Sequence, residues 1–285
     1  PDFKTPTNIC EGAKEAIDSG KYFSYPPVPG YLDFREAISE KFKNENGLNY
    51  SPSEIIVSNG VKHSITNVMF SILNPGDEVI VFAPFWVSYS AIIALADGIP
   101  KYINTTIKND FKPTNDQLEE AISTKTKAII FSSPCNPTGT VFTKEELEGY
   151  RNILVNHPDI YVISDEIYEH INFTDEHASF GSLEGMNDRT ITMNGFSKGF
   201  AMTGWRLGYI GAPAKIAKST AASVCPALLK TPPSFAIKGN IWPGLARSWG
   251  LDFLSMIVCI VLYLSFVEIP VVQFFIASTL IVKAV

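Results

Sequence analysis

Apolar residues in the first three quarters of this chain recur with two periods that take turns. Ile9, Ala13, Ala16 and Ile17 fall on one side of a helix over residues 8–18, and Phe34, Ala37, Ile38 and Phe42 do so over 33–46, where Gly47 closes the pattern. Between them, Tyr25-Pro26-Pro27-Val28-Pro29-Gly30 holds three prolines that lack donors and fix φ, which predicts a loop. From residue 55 onward, short β-rich runs alternate with helical ones. Strands are predicted at 55–58, 78–82, 101–105, 128–132, 160–163, 190–194 and 207–210, and helices at 63–73, 87–96, 115–123 and 143–155. Thr143 with Glu146 three residues later reads as a capping box at the start of the last of these helices. Strand and helix in alternation predict an α/β fold, doubly wound around a mostly parallel sheet.

The pattern fails after residue 218. Only six charged side chains occur in 219–285 (Lys230, Lys238, Arg247, Asp252, Glu268 and Lys283), against 46 before it. Residues 253–282 form an apolar run broken by Glu268 and Pro270, long enough for the ~20 residues that span a bilayer. Three readings of this tail stand side by side: an out-of-frame or mispredicted segment, a membrane anchor, and a buried replacement for elements that are otherwise missing. The chain opens at Pro1-Asp2-Phe3 without a Met or a charged n-region, so no signal peptide can be read, and it looks like a fragment or a processed chain.

Composition narrows the chemistry. A net charge of −6 gives no basic footprint, so nucleic acid is not an expected partner and small metabolites are. Cys10, Cys135, Cys225 and Cys259 are few and scattered, which suits reduced thiols in the cytoplasm better than disulfides or zinc. His63, His157, His170 and His177 show no metal-ligand spacing, no metal site is expected, and His170 and His177 read as solvated loop residues.

The richest stretch runs from Thr192 to Tyr209. It places Ser197-Lys198 just after a buried strand and Arg206 eight positions on, so that an amine and a permanent cation can share a pocket. That pair suits a cofactor with an aldehyde and a phosphate, since a lysine amine condenses with the first while a guanidinium fork and a hydroxyl grip the second. Pyridoxal 5'-phosphate has both groups. Other motifs sit at strand ends: Asn59-Gly60-Val61-Lys62 opens a helix and offers free N–H groups to an anion. Trp86 offers a flat indole for ring stacking. Ser133-Pro134-Cys135-Asn136-Pro137-Thr138-Gly139 follows a central strand, and Asp165 stands three residues before Tyr168.

Taken together, Ser197-Lys198 with Thr203-Gly204-Trp205-Arg206, and Pro84-Phe85-Trp86-Val87-Ser88-Tyr89 against the family's Pro-Tyr-Trp-Val-Ser-Tyr, resemble the class I/II aminotransferases. These are fold type I pyridoxal-phosphate enzymes, and the resemblance lies nearest the bacterial-type aspartate aminotransferases. It implies a large domain with a seven-stranded sheet over residues 25–218, after an N-terminal segment 1–24. It also implies a small C-terminal domain that is not legible in 219–285. Lys198 would be the catalytic amine, and Gly60, Val61, Lys62, Ser197 and Arg206 would hold the phosphate. Trp86 would stack on the ring, Asp165 would pair with the ring nitrogen, and Tyr168 and Asn136 would bond its phenolic oxygen. Trp86, Asn136 and Lys62 would also meet the substrate, Lys62 reading an acidic side chain, and Tyr25 would reach the phosphate of a neighbouring subunit in a homodimer. The implied reaction moves an amino group between an amino acid, aspartate first, and a 2-oxo acid. A lyase or synthase on the same scaffold, and a non-catalytic remnant, remain the alternatives. The family's carboxylate-clamping arginine would fall in the tail, where Arg247 stands in no matching context.

Overall fold

A computed structural model describes residues 2–174 and 176–223. The apolar run 253–282, Arg247, Cys225 and Cys259 lie outside the described residues. In chain order the elements are α1 (Thr7–Asp18), α2 (Leu32–Asn46), β1 (Ile55–Ser58), α3 (Val61–Ile72), β2 (Glu78–Ala83), α4 (Ser88–Leu95) and β3 (Ile99–Asn104), then α5 (Asn115–Ala121), β4 (Thr126–Ser132), α6 (Lys144–Leu154), β5 (Tyr161–Asp165), β6 (Thr190–Gly195), β7 (Gly208–Gly211) and α7 (Ala214–Ser223).

The strands form one sheet in the order β1-β7-β6-β5-β4-β2-β3. Strands β3, β2, β4, β5 and β6 run parallel, while β7 pairs antiparallel with both β6 and β1. Alternate residues of each strand face opposite layers, as the two-residue period requires. Val79, Val81, Ile130, Ile163, Ile191 and Met193 pack under α3, α4 and α7. Their neighbours Ile80, Phe82, Ile129, Phe131 and Val162 pack under Leu118 of α5 and Leu147 of α6. Helix α2 covers the β1–β7 end through Phe34, Ile38 and Phe42 against Ile55, Val57 and Tyr209. The sheet is therefore covered on both faces, as parallel sheets are.

Local chemistry explains the boundaries. Gly47 ends α2 in the left-handed conformation at φ +66°, a position that costs glycine nothing. Thr143 and Glu146 make the reciprocal capping box of α6. Helix α3 starts at Val61 rather than at 63, because Gly60 makes the whole turn itself at φ +83°. Pro100 sits inside β3, which is possible because β3 is an edge strand bonded only to β2. Helix α7 was not anticipated as an element, and it runs across the 218/219 boundary. Its buried Ile216, Ala217 and Thr220 have helical spacing, but the low charge that begins at 219, in the middle of the helix, obscures the pattern.

Growth of the sheet reverses at β2, with β3 on one side of it and β4 on the other. A crevice at the carboxyl ends of the strands beside such a reversal is where open α/β sheets take ligands.

Candidate active site

Five chain segments deliver polar groups to that end of the sheet. Trp86 follows β2, Asn136 follows β4, Asp165 ends β5 with Tyr168 just beyond, Ser197 and Lys198 follow β6, and Gly60 to Lys62 join β1 to α3. Each strand enters its loop from a buried apolar run, so the backbone at every site residue is fixed by the core behind it.

The amine lies over the ring of the phenol. Lys198 Nζ lies 5.4 Å from the centre of the Tyr168 ring, and Asn136 Nδ2 points at the Tyr168 hydroxyl over a long 3.5 Å contact. Pro134 and Pro137, on either side of Asn136, both follow cis peptide bonds. Ser197 is buried, whereas Lys198 is only half-buried and open to a ligand.

Asp165 is 4% exposed. Burial raises its carboxyl to about 6; hydrogen bonds from the Tyr89 hydroxyl and the Ile167 N–H pull it down, Glu166 pushes it up, and the Lys198 charge pulls it down. Tyr89 Oη donates to Asp165 Oδ2 at 2.7 Å and Ile167 N donates to Oδ1 at 3.3 Å. Tyr89 also meets the Trp86 indole edge-on, with ring centres 5.6 Å apart. Above that indole, Lys62 Nζ sits 5.3 Å from the ring centre, within cation–π reach.

The anion seat is built by close approach. A Cβ on Gly60 would come within 2.6 Å of Arg206 Nη2, and one on Gly208 within 2.6 Å of the Val61 nitrogen. Only glycines let the guanidinium and strand β7 lie this near the start of α3. Arg206 holds φ +56° and donates from Nη1 to the Thr203 carbonyl at 3.0 Å. The N–H groups of Val61 and Lys62, the first two of α3, precede the first helical bonds, which His63 and Ser64 donate to the Gly60 carbonyl, and the Arg206 guanidinium lies beside this helix start.

Tyr25 is not gathered into this cluster; it stands at the surface, 89% exposed. His177 corrects the expectation of a solvated loop residue. It is mostly buried, with Nε2 2.9 Å from the fully buried Glu166. Glu166 also accepts from Ser164 at 2.9 Å and Ser179 at 2.6 Å. Glu169 is paired with Lys41 and accepts from Asn46 Nδ2 at 2.7 Å. His170, though exposed, lies 3.2 Å from the same Glu169. Glu166, Glu169 and His177 could together offer three ligand atoms to a cation, as could Glu45, Glu169 and His170, but Glu169 already pairs with Lys41 and Glu166 already accepts from Ser164 and Ser179. Sequence reasoning missed this network because its members come from α2, β5 and the loop beyond it, with no local spacing to betray them. It missed Tyr89 for another reason: the residue was visible in its motif, but nothing local says which way a phenol points.

A family model described as aminotransferase class I and II matches residues 1–237. The bifunctional aspartate aminotransferase and glutamate/aspartate-prephenate aminotransferase of Petunia hybrida is 50% identical over 214 residues, which is 75% of this chain and 44% of that protein. The aspartate/prephenate aminotransferase of Thermus thermophilus is 44% identical over 222 residues, 78% of this chain and 57% of that one. Among solved structures, the aromatic aminotransferase of Pyrococcus horikoshii superposes with a TM-score of 0.75 at 46% identity, over 78% of this chain and 60% of that chain. The Thermus thermophilus aspartate aminotransferase with maleate gives 0.76 at 43%, over 81% and 59%. The chain thus spans about half the length of the curated relatives it matches. A seven-stranded sheet of this order, a lysine after β6, an aspartate at the end of β5 and a family match over most of the sequence lead to one assignment: this chain belongs to the class I and II aminotransferases.

Proposed function

We propose that residues 25–218 are the cofactor-binding large domain of a pyridoxal-phosphate-dependent aminotransferase that works on aspartate or a similar acidic amino acid and a 2-oxo acid. One observation carries the reading: an amine (Lys198), a phenol (Tyr168), a buried carboxyl (Asp165) and a guanidinium beside a helix start (Arg206 over Gly60) converge at the carboxyl edge of one sheet. These residue types fit the cofactor group by group. The cradle at Gly60, Val61 and Lys62, with Ser197 and Arg206, suits a phosphate dianion. Asp165, whose carboxyl burial holds up near 6 and which makes no salt bridge among the described residues, suits a protonated ring nitrogen. Trp86 offers the ring a flat face, and Tyr168 and Asn136 can bond its phenolic oxygen.

Pyridoxal phosphate, when bound, supplies an electron sink for the carbanion left when an amino acid loses its Cα proton. The chain's own residues do the rest. Lys198 Nζ, in its unprotonated form, accepts that proton, and its perch over the Tyr168 ring limits the directions from which it can do so. Asp165 keeps the ring nitrogen charged. Trp86 and Asn136 orient the substrate, and Lys62, held over the indole face, offers a cation to a distal carboxylate. The relatives named for aspartate support that substrate class, and none of those reported above is a lyase. A homodimer with Tyr25 reaching the partner's phosphate is part of the proposal, supported by that side chain's exposure. A reducing, cytoplasmic setting is also part of it, supported by the free thiols of Cys10 and Cys135. Among the described residues no helix is long and apolar enough to cross a membrane.

Reduction with borohydride in the presence of pyridoxal phosphate, followed by peptide mapping, tests the assignment. The pyridoxyl group should be found on Lys198 and be lost in Lys198→Ala; label on another lysine would refute it. Amino transfer from aspartate to a 2-oxo acid tests the substrate.

A further inference from the structure

Asp165 and Trp86 are carried by different strands, and one side chain touches both. Tyr89, in the first turn of α4, is 1% exposed. Its hydroxyl reaches Asp165 Oδ2 at 2.7 Å, and the edge of its ring meets the indole of Trp86 at an interplanar angle of 87°. We propose that Tyr89 is a positioning residue that holds the Asp165 carboxylate ionised and in one rotamer while bracing the plane of Trp86. The inference rests on reading Asp165 as the partner of the cofactor's ring nitrogen.

Geometry gives each carboxylate oxygen one donor: Oδ1 takes the Ile167 N–H and Oδ2 takes the phenol. The other ionisable groups around the pair are Lys198 from the loop after β6, Glu166 on the same strand end, and Cys135 beside Tyr89. Lys198 favours the ionised acid and Glu166 opposes it, and the two neutral donors offset part of what burial does. Tyr89 is suited to that task because burial, with the Asp165 charge beside it, raises its own pKa well above the usual phenol value. It remains a donor throughout the pH range in which Asp165 titrates. The same ring edge stops the indole from tilting, so the distance between the stacking plane and the carboxylate is set by one rigid side chain instead of two independent loops. A tyrosine that merely filled the core would need only its ring, and Tyr89→Phe separates the two roles.

The full chain, grown with carboxyl-labelled aspartate and freed of cofactor, can be titrated by carbon NMR, with the Asp165 signal identified by its loss in Asp165→Asn. Tyr89→Phe should raise the Asp165 midpoint by about one pH unit, the effect of one hydrogen bond to a charged group. An unchanged or lowered midpoint would overturn the proposal. Binding of pyridoxal phosphate and of its analogue with CH in place of the ring nitrogen provides the second readout. Tyr89→Phe should weaken the first about tenfold and leave the second unchanged; equal losses would reduce Tyr89 to packing. Tyr89→Leu, which also loses the ring edge, should shift the midpoint likewise and weaken both ligands. If the midpoint moves but Asp165→Asn shows no discrimination between the two ligands, the hold of Tyr89 on the carboxylate stands. The assignment of Asp165 to the ring nitrogen is then what fails.

Discussion

Asp165 should dominate the acid side of the cofactor-free chain's stability. Its folded pKa, about 6, lies above the ordinary 3.8, so between those values the folded state binds more protons than the unfolded one. Stability then falls as pH rises through that window, by roughly 1–3 kcal/mol at 1.36 kcal/mol per unit. Asp165→Asn removes the titration. It should stabilise the cofactor-free chain at pH 8 and leave it near the parent at pH 4, which urea unfolding at the two pH values would show; equal effects at both would mean that burial is not what raises the carboxyl. Single residues such as Lys198, Asp165, Asn136 and Trp86 were legible in the sequence because each sits in a dense local motif at a strand end. Tyr89 and His177 were not, because what they do depends on acceptors 76 and 11 positions away, and sequence spacing does not encode those directions.

The segment after β5 behaves as a unit through its buried polar network. Lys41 on α2 is paired with Glu169, which is 9% exposed, so removing the cation strands a buried carboxylate. Lys41→Met should cost about 3 kcal/mol in urea unfolding, several times what a surface bridge contributes; a loss under about 1 kcal/mol would show the pair to be solvated. His177 adds a pH signature of the same sign as that of Asp165, since both folded values are raised, but at a higher pH. Burial alone would lower its pKa, but the hydrogen bond to Glu166 and the charges of Glu166 and Glu169 raise it above 6.5 against that burial and the Lys41 charge. The stability it contributes is complete below 6.5 and is lost as pH rises through the raised folded value. His177→Gln, which retains a hydrogen-bond donor, should therefore flatten the stability profile above pH 6.5, and a profile unchanged from the parent would remove His177 from the network. At this scale nearly all elements were legible from apolar period and punctuation. Several bounds differ by two residues, as at the starts of α3, β3 and β4 and the end of α5, and α7 is the helix not expected, where composition begins to change.

The whole sheet is a wall between two cores, and that division has a measurable outcome. Val68 of α3 and Leu147 of α6 are both fully buried, one in the layer under α3, α4 and α7 and the other in the layer under α5 and α6. Leu147→Ala should cost about 2–5 kcal/mol and Val68→Ala rather less. The double variant should equal their sum within about 0.5 kcal/mol, since the sheet separates the two sites; a larger discrepancy in denaturant midpoints would mean that strain passes through the strands. The order of strands was not readable beyond "mostly parallel", because nothing in the chain marks β7 as antiparallel or lodges it between β1 and β6. One consequence of β5 reaches into genetics. Asp165 and Glu166 are adjacent letters of the same acidic class, told apart by odd and even position alone: one faces Tyr89 and the other faces Ser179 and His177. A slip of β5 by a single residue would bring Glu166 to the address of Asp165 and offer Tyr89 a carboxylate longer by one methylene. A one-codon deletion that forced such a slip would leave every motif of this chain intact on the page, and an alignment would record one gap where the protein had lost its acid.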